Sequence, residues 1–133
     1  MIYCLDTNIC IYFLKGKFPS LINKIYGHNP NDIKLPSIVK AELLHGAERS
    51  VRKDENIKKI KKFIVPFETI PFGGFAAEYY AVIKAKLENN GAPIGPNDLI
   101  IAATAISINA TLVTNNIREF MRVDGLRCEN WIE

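Results

Sequence analysis

Cysteine is scarce in this chain: three residues in 133, at Cys4, Cys10 and Cys128. An odd number with no CxxC spacing excludes a disulfide framework and a zinc ribbon. Cys4 and Cys10 lie inside apolar runs and read as buried free thiols of a reducing compartment. Long apolar stretches are also lacking. The most apolar run, Leu99 to Ile108, has about half the length of a membrane span, so no membrane association is expected. No basic segment followed by a long apolar one opens the sequence, so no signal peptide is expected and the cytoplasm is the expected location. Repeats, low-complexity tracts and linkers are missing as well. So is a large excess of one charge: 17 basic and 14 acidic residues leave a net +3. That balance permits contact with a polyanion without requiring it.

What is present is an ordinary globular composition, 48% hydrophobic and 23% charged. It suits a single domain over residues 1–133, with a core that needs neither disulfides nor structural metal. Short runs of β-formers alternate with helical patterns. Ile2–Leu5, Ile33–Leu35, Phe67–Ile70 and Ala110–Thr114 read as strands, with Leu126–Cys128 as a last edge strand. Helices are expected over Asn8–Leu14, Pro19–Tyr26, Ser37 (as cap) to Ser50, Asp54–Val65, Gly74–Asn90 and Pro96–Ile108. Gly91 is the expected stop of the fifth. The sixth is apolar on nearly every face and should be buried. Strand and helix in alternation imply βαβ units, hence an α/β fold with a mostly parallel central sheet flanked by helices. Such sheets bind ligands at the carboxyl ends of their strands.

Polar groups gather where that rule points. Asp6 follows the first strand, and Thr114, Asn115 and Asn116 close the fourth. Asp98 opens the buried helix that feeds the fourth strand, and Glu42 lies about one turn into the helix after the second. Two carboxylates roughly 4 Å apart repel by about 4 kcal/mol at an effective dielectric of 20. Lys40 is the one cation close in sequence. A divalent ion would relieve the repulsion, and an incomplete set of oxygen ligands suits Mg²⁺ or Mn²⁺. Taken singly, each residue also has a structural reading. Asp6 can cap a helix, Asp98 can complement a helix dipole, Glu42 can be a surface charge and Asn116 a turn residue. The residues alone leave both readings open.

At these positions the sequence resembles the PIN-domain family, and within it the VapC-type toxins. The matching pieces run in order along nearly the whole chain. They are Leu5-Asp6-Thr7-Asn8, Ala41-Glu42-Leu43-Leu44-His45-Gly46-Ala47, Ile94-Gly95-Pro96-Asn97-Asp98-Leu99-Ile100-Ile101-Ala102-Ala103, and Thr111-Leu112-Val113-Thr114-Asn115-Asn116-Ile117-Arg118-Glu119-Phe120, trailed by Gly125-Leu126 and Glu129-Asn130-Trp131. The resemblance implies a three-layer PIN-like domain and a metal-dependent endoribonuclease that cuts tRNA or ribosomal RNA. It implies Asp6, Glu42 and Asp98 as catalytic acids, with Asp6 and Asp98 holding Mg²⁺ or Mn²⁺. Thr114 would orient ligands or water, and Thr7 and Asn8 would fix the first acid. It further implies a homodimer and a small antitoxin whose tail covers the acidic pocket. Many PIN domains carry a fourth aspartate where this chain has Asn116; Glu119, one turn on, is the candidate to supply the missing charge.

Elsewhere the readings are plainer. The stretch from Arg49 to Lys62 is rich in basic residues, with Lys58, Lys59, Lys61 and Lys62 flanking the apolar stripe of their helix, and is either a solvated face or an RNA-backbone contact. His45 is expected to pack within its helix, and Tyr79 and Tyr80 to pack as well. Tyr12 and Phe13 are expected in the core or a dimer interface. A phospho-acceptor receiver domain would need an acid after a middle strand and a lysine after the last one, and neither is visible. The remaining alternative is a non-catalytic PIN-like module that binds RNA or protein; retention of all three acids weighs against it.

Overall fold

A computed structural model describes all of residues 1–133. Five strands, β1 (Tyr3–Leu5), β2 (Ile33–Pro36), β3 (Glu68–Ile70), β4 (Thr111–Val113) and β5 (Arg127–Glu129), form one sheet in the order β3-β2-β1-β4-β5. Every pairing is parallel, so the sheet is wholly rather than mostly parallel. Seven helices flank it: α1 (Thr7–Leu14), α2 (Pro19–Gly27), α3 (Ser37–Glu48), α4 (Lys53–Ile64), α5 (Gly74–Asn89), α6 (Pro96–Ser107) and α7 (Ile117–Phe120). The result is a three-layer α/β domain.

The middle strands show why the sequence reads as runs rather than as alternation. Cys4 and Leu5 of β1, and Leu112 and Val113 of β4, are all fully buried. A parallel strand covered by helices on both faces buries consecutive side chains. Helix α6 buries Leu99, Ile101, Ala102, Ala103, Thr104 and Ala105, as its all-round apolar sequence requires. Helix α4 buries Ile60 and Ile64 and leaves its five lysines exposed. Cys4 and Cys10 are buried free thiols, and desolvation pushes the Cys4 thiol up to about 12. Gly91, at φ +64°, ends α5 in the left-handed conformation that glycine tolerates.

Some boundaries differ from the sequence reading. Ser37 is the first helical residue of α3 rather than its cap; Pro36 precedes it and contributes no side-chain hydrogen bond. The segment after β4, read as a turn, contains α7, a four-residue helix too short to show a period. Tyr79 is 44% exposed rather than packed, whereas Tyr80 lies edge-on to Phe72. Tyr12 and Phe13 are half-buried against the core.

The strand order places the site. From β1 the chain crosses to β2 on one side; from β4 it crosses to β5 on the other. The connections leaving β1 and β4 therefore diverge, and a crevice opens between them at their carboxyl ends, the topological switch point of an open α/β sheet.

Candidate active site

Asp6 and Thr114 are the residues that follow β1 and β4, and both lie at this crevice. The ladder continues through them: Asp6 N–H donates to Val113 O at 3.0 Å, and Thr114 N–H to Glu129 O at 3.0 Å. Asp6 is 5% exposed and Thr114 fully buried. Each Asp6 oxygen has one partner: Oδ1 accepts from Thr7 N–H at 2.7 Å, and Oδ2 from the Thr114 hydroxyl at 2.7 Å. Asp6 thus also caps α1, so the structural role weighed from sequence coexists with its place in the crevice. The Thr114 hydroxyl in turn accepts from Asn116 N–H at 3.0 Å.

The other acids reach the crevice from three helices. The Thr7 hydroxyl donates to Glu42 Oε1 at 2.8 Å, so Thr7 fixes both acids, one through its backbone and one through its side chain. Asp98, in the first turn of α6, lies over Gly95, with Oδ2 3.5 Å from where a Cβ would stand on that glycine. Glu119 of α7 accepts from Gly95 N–H at 3.0 Å through Oε1 and from the Asn116 side-chain amide through Oε2. Glu119 therefore enters the site, and Asn116 faces Glu119. Asn8, expected to fix Asp6, is exposed on the first turn of α1 instead.

Electrostatics binds these groups into one site. Desolvation raises the Asp6 carboxyl above its usual range; hydrogen bonds from Thr114 and Thr7 oppose this, while the charges of Glu42 and Glu119 add to it. Asp98 is pushed up to about 7, first by desolvation, then by the charges of Glu119 and Asp6, by a hydrogen bond to Glu119 and by the charge of Glu42. No basic side chain is among the groups acting on either acid, Lys40 included. A cluster of four acids with no internal counter-charge is held together against its own repulsion.

Outward from Glu42 lies an open depression of about 550 Å³ lined by Thr7, Asn8, Glu42, His45, Arg49 and Asn97, with Ile11 its one hydrophobic residue. His45 is exposed at this depression rather than packed within its helix. Arg49 opens the basic stretch that the sequence offers as a solvated face or an RNA-backbone contact, whereas Asn97 was not singled out as a site residue. On the other side of Glu42, an apolar groove of about 530 Å³ runs between α1, α3 and α4, past Ile11, Leu14, Leu43, Ala47 and Ile60. Of the five lysines of α4, Lys59 lines this groove. Lys59 and Lys62 line the next groove, and none of the five lines the acidic depression.

The PIN-domain family model matches residues 3–126. The chain belongs to the PIN-domain family. Within that family it falls among the VapC proteins. It is 45% identical over 133 residues to Ribonuclease VapC2 of Rickettsia felis, covering 98% of each chain. It is 38% identical over 129 residues to the tRNA(fMet)-specific endonuclease VapC of Shigella flexneri, covering 97% of each. Among solved structures, the PIN domain superposes on a chain of VapBC2 from Rickettsia felis bound to a promoter DNA fragment with a TM-score of 0.92 and 44% identity, covering 98% of this chain and 99% of that one. The DNA-bound VapBC of Salmonella typhimurium gives a TM-score of 0.93 at 37% identity, with 98% of both chains covered.

Proposed function

We propose that this PIN domain is a metal-dependent endoribonuclease and the toxin half of a toxin–antitoxin pair. The observation that carries the reading is the gathering of Asp6, Glu42, Asp98 and Glu119 at the switch point with no basic side chain acting on Asp6 or Asp98. The relatives named as ribonucleases and endonucleases, matched along almost their full length, support the same class. The donor set fits Mg²⁺ or Mn²⁺: it is all oxygen, anionic and partly desolvated. No group of three or more His, Cys, Asp or Glu side chains is placed to hold a metal ion together, so an ion here would rest on fewer protein ligands and complete its shell with water. Asp6 and Asp98 would hold it, with Glu42 and Glu119 beside them. Such an ion would activate water for attack and stabilise the in-line displacement at phosphorus.

The protein's own residues have distinct tasks. Thr114 fixes the Asp6 carboxylate, and Thr7 fixes Glu42 against α1. Asp98, whose carboxyl is raised by burial and by neighbouring Glu119, would release its proton on binding a cation. A tRNA is the proposed substrate, because relatives 38% identical across 97% of the chain are named tRNA(fMet)-specific endonucleases; ribosomal RNA is the other target implied by the resemblance. An antitoxin is the proposed partner, since the matched solved structures are VapBC complexes. The apolar groove with Glu42 on its wall offers that partner a route to the acids. A homodimer completes the reading, and Phe75, Tyr79 and Val82, exposed along one side of α5, offer it an apolar face. No helix is long and apolar enough to cross a membrane; the cytoplasm is the proposed location.

The test is incubation of purified protein with initiator tRNA and with ribosomal RNA, in Mg²⁺, in Mn²⁺ and in EDTA. Metal-dependent, site-specific cleavage of one of them is expected. Intact RNA in every metal would overturn the nuclease reading, and harmless overexpression in a bacterial host without antitoxin would overturn the toxin role.

A further inference from the structure

We propose that the polar depression beside Glu42 is the track of the RNA backbone, and that Arg49 and His45 hold a phosphate flanking the one that is cut. The proposal rests on the nuclease reading above and adds to it the residues that bind the substrate chain.

Glu42, His45, Gly46 and Arg49 are spaced i, i+3, i+4 and i+7 along α3, so they share one side of the helix. All four line the depression. At 1.5 Å per residue, His45 stands about 4.5 Å and Arg49 about 10 Å along the axis from Glu42. A strand laid along α3 from the acids meets His45 and then Arg49.

The charge pattern selects a phosphate chain. A polyanion approaching four carboxylates is repelled, so positive groups must act from the flank. Arg49 is placed and free to do so. Neighbouring Glu48 is engaged by Lys53 at 2.9 Å, and Glu55 by Arg52 at 3.7 Å and Lys59 at 3.8 Å, which leaves Arg49 without a carboxylate partner. A planar guanidinium with free donors suits a phosphate in two-point contact. Two helices also begin at this depression. Thr7 and Asn8 belong to the first turn of α1 and Asn97 to that of α6, where the helix dipole favours an anion. The lysines of α4, which the sequence makes conspicuous, do not reach it.

Gly46 keeps the track open. A Cβ added there would meet no atom within 4 Å. A larger side chain would therefore project into open space without disturbing the fold.

Two measurements test the proposal: steady-state cleavage of an initiator tRNA transcript, and the salt dependence of its binding to Asp6→Asn protein in EDTA. Arg49→Gln is expected to raise KM about tenfold with kcat within about twofold, and to flatten the binding slope by about 0.7, the loss of one single-strand phosphate contact. Arg49→Lys should recover part of the affinity and His45→Ala should show a smaller rise in KM. Gly46→Leu should raise KM with an unchanged or higher Tm. Lys24→Gln, which removes an exposed charge on α2, should move neither quantity. An unchanged slope in Arg49→Gln, or an equal change in Lys24→Gln, overturns the track. Because binding is read on inactive protein, the two readings separate. A slope that depends on Arg49, together with wild-type protein that cuts no RNA in any metal, supports the track and overturns the nuclease.

Discussion

The Thr114 hydroxyl donates to Asp6 Oδ2 at 2.7 Å, joining two residues 108 apart in the chain. It bridges the carboxyl ends of the two central strands at the switch point. Hydrogen bonds to charged groups contribute about 1.5–3 kcal/mol, and this one favours the ionised form of a carboxylate that burial otherwise disfavours. Thr114→Val keeps the shape and removes the donor. The Asp6 carboxyl is then expected to rise further, moving the acid limb of the kcat pH profile upward and lowering kcat at neutral pH by about tenfold. Thr114→Ser should restore both. A Val variant with a wild-type profile would mean that Thr114 only fills space.

The acids themselves should be indispensable. Asp6→Asn, Glu42→Gln and Asp98→Asn are each expected to reduce RNA cleavage by about 100-fold or more while circular dichroism stays native, because each removes an oxygen charge the reaction needs. Full activity of Asp6→Asn would remove the mechanism.

Stability of the metal-free protein should fall as pH rises. Asp98 is pushed up to about 7 from an ordinary 3.8, so the folded state holds its proton more tightly than the unfolded chain does. That contribution is complete below the unfolded value and is lost as pH rises through about 7. In EDTA, Tm should therefore decline between about pH 5 and 8, and Asp98→Asn should flatten the decline. Saturating Mn²⁺ should reverse it, since the ion prefers the ionised acids. A Tm in EDTA that is flat across this range would remove Asp98 from the acidic cluster.

Glu119 should matter more than Asn116. Glu119 adjoins Asp98 and pins Gly95 N–H, whereas the Asn116 side chain holds Glu119. Glu119→Gln is expected to weaken metal binding and cleavage more than Asn116→Ala. Asn116→Asp places a fourth family acid in the crevice and should tighten Mn²⁺ binding by calorimetry. Equal, near-silent effects of Glu119→Gln and Asn116→Ala would place both outside the working site.

The order of strands and helices was legible because buried parallel strands leave unbroken apolar runs and because Gly and Asn mark the stops. The acids were legible through their positions just after strands and at helix starts, together with the family resemblance. Three features were not. Helix α7 is too short to carry a period. The contact from Glu119 to Gly95 depends on how α7 meets the start of α6. The exposure of His45 and Arg49 depends on which side of α3 faces α1 and α6. Sequence pattern ranks the clustered lysines of α4 above one arginine, but tertiary placement reverses that order around the depression.

The parallel pairing of β1 with β4 also sets a sequence of events during synthesis. Domains tend to fold as units while the chain emerges from the N-terminus. Here the first strand can pair early with β2, but its other edge stays open until β4 is made, and Asp6 meets Thr114 across a separation of 108. Until that late segment arrives, Asp6 Oδ2 lacks its Thr114 partner and Glu119 has not been made. The four acids therefore come together only after β4 and α7 have been made.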